Sequence, residues 1–228
     1  MSGPNRPRRL VFVTGTATEV GKTWVGGELL ARARARGLAV AARKPAQSFE
    51  MGSTEPTDAA RLAAATGEPA DRVCPRERSY ALAMAPPMAA AVLGRPVPDI
   101  SSLVEEIEGS WGPAGSPGRP GDPVAGGVDL GLVEGAGGVA SPLGADGDSA
   151  TLARALGVDV VVLVADPGLG VINSVRLSVA ALRPLPVVVR LNRFDPGDDL
   201  QRRNADWLRD RDGLGVTTSI GELLGRLA

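Results

Sequence analysis

Histidine is missing from this 228-residue chain, and cysteine occurs once, as Cys74. Without histidine, Ser-His-Asp and Cys-His nucleophilic mechanisms are excluded, and a zinc site loses a common nitrogen ligand. A lone cysteine rules out an intrachain disulfide framework. Aromatic side chains make up 3% of the chain, so a core has to be built from Ala, Val and Leu; the 43% hydrophobic content suffices for that. The net charge is −1, and the basic residues are spread out except for Asn5-Arg6-Pro7-Arg8-Arg9, which reads as a solvated tail. That distribution offers no electrostatic footprint for nucleic acid. No apolar stretch of membrane-spanning length is free of charges or helix breakers, and no secretory leader is expected ahead of the first strand. These absences predict a cytoplasmic enzyme or ATPase with neither a nucleic-acid nor a membrane partner. Its acid–base and metal chemistry must use carboxylates, lysine, hydroxyls or the substrate itself.

Lysine is nearly absent as well. Of the 25 basic residues only Lys22 and Lys44 are lysines; the other 23 are arginines. Lysine is a narrow point charge that fits among phosphate oxygens, whereas arginine is a wide planar fork. Lys22 closes the glycine-rich segment Thr14-Gly15-Thr16-Ala17-Thr18-Glu19-Val20-Gly21-Lys22-Thr23, and Lys44 ends the next apolar run, just before Pro45. A compositional bias toward arginine is the competing explanation for two scattered lysines.

The periodicities alternate between strands and helices. Leu10–Thr14 and Leu38–Ala42 read as strands on either side of a helix over Lys22–Arg36, with Gly37 as its cap. Thr57–Thr66 reads as a helix with Thr57 at its N-cap and Gly67 as its stop. Ser101–Gly109, Asp148–Leu156, Gly170–Leu182, Asp199–Arg211 and Ile220–Leu227 are further helices. Asp129–Glu134 is a strand ending at Gly135-Ala136-Gly137-Gly138, and the continuous apolar runs Asp159–Ala165 and Pro186–Leu191 mark central strands covered on both faces. Gly and Pro dominate Gly112–Gly127, an expected exposed and mobile connection. The expectation is an α/β, P-loop NTPase-like layered fold with a mostly parallel central sheet flanked by helices, in one domain over residues 1–228.

A glycine-rich turn between strand and helix exposes backbone N–H groups and a positive helix end, which suit phosphate oxygens. The usual pattern is Gly, four residues, then Gly-Lys-Ser/Thr. Here Thr16 stands where its first glycine would be and Gly15 comes one residue earlier, while Gly21, Lys22 and Thr23 are intact. In such a turn Lys22 bridges β- and γ-phosphate oxygens and the Thr23 hydroxyl binds Mg²⁺. A glycine turn that binds nothing would carry much of the same pattern. Mg²⁺ takes hard oxygen ligands. Glu134, at the C-terminal end of an apolar strand, should face the same crevice, because ligands of open α/β sheets gather there. Asp58 is a second candidate. Taken alone, Glu134 is equally a strand-end residue in water, and the helix dipole by itself favours Asp58 in a first helical turn.

Thr14-Gly15-Thr16, Thr18-Glu19-Val20-Gly21-Lys22-Thr23, Lys44-Pro45, Ser48, Asp58, Val133-Glu134-Gly135-Ala136-Gly137-Gly138, Gly170-Val171-Ile172-Asn173 and Asn192, in that order and spacing, resemble the dethiobiotin synthase family over about Leu10 to Asn192. Amidotransferase-type cobyrinate synthases and partition-type ATPases share pieces of these motifs; Lys44-Pro45 separates the family from the partition ATPases. The resemblance implies that 7,8-diaminononanoate takes up CO₂ as a carbamate. The carbamate oxygen then attacks the γ-phosphate of ATP or another nucleoside triphosphate, and the second amine closes a ureido ring and expels phosphate. It further implies that Lys22 and Thr23 hold phosphates and Mg²⁺, with Asp58 and Glu134 completing the metal set. Lys44 would stabilise the carbamate and the transferring phosphoryl group, and Ser48 would hydrogen-bond the carbamate. Gly15, Thr16, Thr18, Glu19, Val20, Gly21 and Gly137 would line the nucleotide, and Asn192 would contact its base. Asn173 would bind the substrate carboxylate of the other subunit in a homodimer. Because the carbamate is already an anion, a chain without histidine can run this chemistry.

Four positions depart from the family pattern. Ala17 stands where many members have Asp, and Phe49 where a small Gly is usual. Met84-Ala85-Pro86-Pro87-Met88 replaces a segment that usually carries a histidine, and Gly215–Gly221 matches poorly the expected Gly-x-Ile-Pro. Base preference is thereby left open. Two other readings remain: a P-loop switch ATPase that controls a protein partner, and a divergent paralogue without synthase activity, for which Phe49 is the best argument.

Overall fold

The computed structural model describes residues 6–111 and 127–227. In chain order its elements are β1 (Arg9–Gly15), α1 (Lys22–Ala35), β2 (Val40–Arg43), β3 (Gln47–Ser48), α2 (Asp58–Thr66), α3 (Ala70–Val73), β4 (Ser79–Tyr80), α4 (Pro86–Val92), α5 (Ile100–Ser110), β5 (Leu130–Gly138), α6 (Ser149–Ala155), β6 (Val160–Ala165), α7 (Val171–Leu182), β7 (Val187–Leu191), α8 (Asp199–Asp206), β8 (Gly215–Thr217) and α9 (Ile220–Leu227). Six strands form one sheet in the order β2-β5-β1-β6-β7-β8, and every pairing in it is parallel. β3 and β4 form a separate two-stranded ribbon.

Strand residues alternate between faces, so a buried parallel sheet needs two apolar layers. Leu10, Phe12, Val133, Val161, Leu163, Val189 and Leu191 point into one core with α5, α6 and α7. Val11, Val13, Leu130, Leu132, Val160, Val162 and Val164 point into the other, against Val25, Leu29, Leu30 and Ala33 of α1 and Leu223 and Leu224 of α9. Residues 25, 29 and 33 recur every fourth position, which places them on one helix face.

Helix ends follow the expected capping chemistry. Thr57 caps α2 by accepting from Ala60 N, and Gly67 ends it in the left-handed conformation at φ 82°. Asp148 caps α6 through Thr151 N. Three expectations are corrected. β5 does not stop at Glu134 but runs on to Gly138, because Gly15 pairs with Gly138 beyond a register shift in β1. The helix expected over Asp199–Arg211 is α-helical only to Asp206 and then widens into a π-helical turn, Trp207–Arg211. The strand expected over Leu38–Ala42 starts at Val40. The expected connection at Gly112–Gly127 lies outside the described residues apart from Gly127.

β2 is an edge strand, and its last residue is tied down by a buried charge pair. Arg43 Nη1 lies 2.8 Å from Glu68 Oε1, with side-chain exposures of 4% and 1%. Its Nε donates to Ser110 Oγ at 2.6 Å and its Nη2 to Ser110 O at 2.7 Å, and the guanidinium stacks 4.6 Å from the Trp111 ring centroid. The other Glu68 oxygen accepts from Ala42 N at 2.9 Å. A buried pair of this kind is costly to break from one side, since the remaining charge is left uncompensated. Glu68→Ala is therefore expected to lower stability by about 3–5 kcal/mol. Urea denaturation tests this; an unshifted midpoint would contradict it.

Candidate active site

The turn from β1 to α1 has the backbone that an anion site needs. Gly21, the N-cap of α1, is left-handed at φ 92° and provides no side-chain cap, so the first N–H groups of the helix are left to another acceptor. Glu19 is also left-handed, at φ 59°. Gly15 is needed for close approach: a Cβ there would fall 2.7 Å from Val20 Cγ2 and 2.9 Å from Ala17 O. Thr18 and Glu19 are exposed at the tip, while Val20 is buried. Lys22 folds back over the turn and donates to Ala17 O at 3.0 Å.

Strand parity brings the next groups together. Glu134 is two and four residues beyond Leu132 and Leu130, which pack on α1, so its carboxyl faces the same side. Lys44 stands two residues after Ala42 on that face, and Arg43 pairs with Val133, which sets Lys44 level with Glu134. α2 brings in Asp58 from its first turn, its start held by Thr57 and by Ala59 N donating to Gln47 Oε1 at 2.9 Å.

The four side chains form one network. Lys44 Nζ donates to Glu134 Oε1 at 2.6 Å, to Asp58 Oδ2 at 2.8 Å and to Gly135 O at 3.0 Å. The Thr23 hydroxyl lies 2.8 Å from both Asp58 Oδ1 and Glu134 Oε1, and its single proton serves one of them at a time. Burial pushes the Glu134 carboxyl above its ordinary value, against the pull of the Lys44 charge. Burial also acts to raise Asp58, but the Lys44 ammonium and the hydrogen bonds from Lys44 and Thr23 outweigh it, and Asp58 ends below the usual range. Burial alone would lower Lys44; the two carboxylates reverse that and hold its proton. One ammonium does not compensate two carboxylates, and the deficit falls on Glu134, which is completely buried. Lys22 is lowered first by burial and then by the Lys44 charge, so the two ammonium groups share one electrostatic neighbourhood.

Several buried side-chain atoms have no hydrogen-bond partner. Glu134 Oε2, Ser48 Oγ, Asn192 Oδ1 and Thr14 Oγ1 are buried and unsatisfied. Among the described residues no group of three or more His, Cys, Asp or Glu gathers, so the oxygen set here is two carboxylates and one hydroxyl. Gly137 is left-handed at φ 65°, and Gly138 N donates to Ser141 Oγ at 2.8 Å. A Cβ at Gly137 would meet that same Oγ at 2.4 Å and would stand 3.9 Å from Thr18 Cγ2. Thr16 N is tied to Val164 O at 2.9 Å. Asn173 is elsewhere, exposed on α7. Cys74 takes no part: burial pushes its thiol up to about 12. Gln47 and Arg193, both in contact with site elements, were not singled out from the sequence. Gln47 lies inside the Lys44–Ser48 segment, and that proximity was the available signal; Arg193 had none.

A profile described as an AAA domain matches residues 9–191. The chain is 42% identical over 196 residues to the "ATP-dependent dethiobiotin synthetase BioD" of Anaeromyxobacter dehalogenans (strain 2CP-C), covering 84% of this chain and 79% of that protein. The protein of the same description from Rhodococcus jostii (strain RHA1) is 36% identical over 225 residues, covering 96% and 89%. This chain belongs to the dethiobiotin synthetase family. In fold, it is similar to a plasmid partition protein from Borrelia burgdorferi, with a TM-score of 0.55 at 10% identity over 97% of this chain and 98% of that one. The P-loop NTPase-like architecture expected from the motifs is the one present.

In this family member the Lys44–Glu134–Asp58 network is also a stability element. Lys44→Met leaves a fully buried carboxylate beside a second one with no cation between them. A loss of about 3–5 kcal/mol in the metal-free protein is expected, read from denaturant melts; a stability equal to wild type would refute the geometry described.

Proposed function

We propose that this chain is an ATP-dependent dethiobiotin synthetase that carboxylates 7,8-diaminononanoate with CO₂ and closes its ureido ring. The observation that carries the reading is the meeting of Thr23, Lys44, Asp58 and Glu134 at the start of α1, with the Lys22 ammonium in the same electrostatic neighbourhood. The relatives are named for an ATP-dependent synthetase, which supports ATP as co-substrate.

Mg²⁺ fits the residues present: Thr23, Asp58 and Glu134 supply hard oxygens, one of which, Glu134 Oε2, is buried without a partner. When bound, that ion supplies charge neutralisation at the phosphate oxygens. The chain's own groups do the rest. The turn from Gly15 to Gly21 presents the backbone N–H groups of Thr18, Glu19, Val20 and Gly21 to the phosphates, Thr16 anchors the turn through its own N–H to Val164 O and lines the nucleotide with its side chain, and Lys22 adds a positive charge there. Gly137 borders the same turn near Thr18. Ser48, whose buried hydroxyl lacks a partner, donates to the carbamate. Lys44 offsets negative charge as the carbamate oxygen bonds to the γ-phosphorus and the bond to the departing diphosphate breaks. The second amine nitrogen then attacks the carbamate carbon, loses a proton, and phosphate leaves. Asn192 offers its free Oδ1 to the base.

The proposal includes one domain over residues 1–228, a cytoplasmic enzyme, and a homodimer. Among the described residues no helix is long and apolar enough to cross a membrane. Leu177, 65% exposed, lies one helical turn after Asn173, and Leu169, 92% exposed, immediately precedes the N-cap of the same helix. An apolar pair flanking a polar side chain in this way suits a subunit contact in which Asn173 reaches the partner's substrate.

The test is direct. With diaminononanoate, bicarbonate, Mg²⁺ and ATP or CTP, the protein is expected to form dethiobiotin and phosphate. Phosphate release independent of the diamine would favour a switch ATPase, and neither product would favour an inactive paralogue. Lys22→Arg and Lys44→Arg keep the charge but are each expected to cut turnover about 100-fold or more; unchanged turnover in either removes that lysine from the mechanism. Glu134→Gln is expected to weaken Mg²⁺-nucleotide binding about tenfold or more by calorimetry, and unaltered affinity would exclude ligation there.

A further inference from the structure

The two residues that follow β7 grip the phosphate-binding turn from a strand two places along the sheet from β1. Asn192 Nδ2 donates to Val20 O at 2.9 Å, and Arg193 Nη2 donates to Glu19 O at 3.3 Å. Two consecutive carbonyls of the turn are thus held by two consecutive side chains, 172 and 174 residues away in sequence. Asn192 is 3% exposed, and its own N–H is fixed to Ala165 O at 2.9 Å. Only a donor satisfies a carbonyl, so the amide orientation is set: NH₂ toward Val20, and Oδ1 away, buried and without a partner.

Both halves of this contact carry strained backbone. Glu19 and Arg193, at φ 59° and φ 56°, are the described non-glycine residues in the left-handed region. Such conformers persist where surrounding contacts over-determine them. Gly21 completes the fit: a Cβ there would lie 2.2 Å from Asn192 Nδ2, so glycine is required by the asparagine as well as by its φ of +92°.

We propose that Asn192 and Arg193 are positioning residues that hold the Glu19–Gly21 backbone in its phosphate-binding conformation, and that Asn192 does so whatever base the nucleotide carries. Its amide joins the two ends of the nucleotide site, with Nδ2 on the phosphate turn and Oδ1 toward the base. The inference rests on the proposed reading of this turn as the triphosphate site.

The probe is inorganic tripolyphosphate with Mg²⁺, which has no base, compared by calorimetry with ATP and Mg²⁺. Asn192→Ala is expected to weaken both about tenfold and by similar factors, the weight of one lost hydrogen bond to a constrained turn. Being neutral, Asn192 cannot act on tripolyphosphate through its charge. Arg193→Gly keeps the left-handed backbone accessible and removes the donor; it is expected to cost about threefold on both ligands, and it tests the idea even where Asn192→Ala folds poorly. Tripolyphosphate affinity unchanged in both variants, with ATP alone weakened by Asn192→Ala, would make Asn192 a base contact only and overturn the proposal. Lys22→Met separates the two levels of inference. If it spares tripolyphosphate binding, the turn is not the phosphate site and both readings fall. If it abolishes binding while the Asn192 and Arg193 variants bind normally, only the positioning role falls.

Discussion

A completely buried carboxylate has to be compensated, and in this protein the compensation of Glu134 organises everything around it. Lys44 and Thr23 both contact Glu134, and Asp58 contacts both of them, so four separate segments meet in one network. The residue after β2 is the lysine, α2 brings the aspartate, α1 the threonine, and β5 the glutamate itself. None of these is near another in the chain, so the network forms only when the parallel register of β2, β5 and β1 is correct. A one-residue slip of β5 would turn Glu134 into the opposite core and leave Lys44 facing no carboxylate on that strand. The site is therefore also a check on the fold, and its excess of negative charge is what a divalent cation would relieve.

Such a network is built to be rearranged by ligands. Lys44 has three acceptors and no spare donor, while Glu134 Oε2 and Ser48 Oγ have no partner at all. Unsatisfied buried oxygens cost free energy in the absence of ligand. Binding recovers that cost only for a ligand that brings a cation or donor to Glu134 Oε2 and an acceptor to the Ser48 hydroxyl, which is what the proposed Mg²⁺–triphosphate and carbamate would do. Specificity here comes from what the protein leaves unpaired.

Much of this was legible in the sequence because it rests on local rules. The apolar run, glycine turn and amphipathic helix identify β1, the turn and α1; Thr57 and Gly67 bracket α2 by capping chemistry alone; and Glu134 ends an apolar run. What was not legible depends on partners far away. β3 and β4 are two residues each, too short to show a period, and exist because Gln47 and Ser48 find Ser79 and Tyr80. β5 extends through glycines that have no strand propensity, because the end of β1 pairs with them. Arg193 and Gln47 look like ordinary polar loop residues until the turn and α2 are placed against them. The resemblance to a family supplied Asp58 and Asn192 where local pattern could not decide them.

Adjacent positions 43 and 44 show why a chain so rich in arginine retains lysine here. Arg43 spreads four hydrogen bonds over Glu68, both oxygens of Ser110 and the carbonyl of Ala42, with its plane on Trp111. A planar fork suits a fixed structural joint of that shape. Lys44, one residue on, must reach three oxygens that converge on a point, at 2.6 to 3.0 Å. A guanidinium is too wide to put all its charge there, and it would hold the carboxylates in a rigid bidentate geometry. An ammonium on a flexible stem occupies the same small volume as a metal-bound oxygen and can give up one contact at a time. Position 43 needs permanence and position 44 needs exchange, and the choice of cation at each follows from that difference.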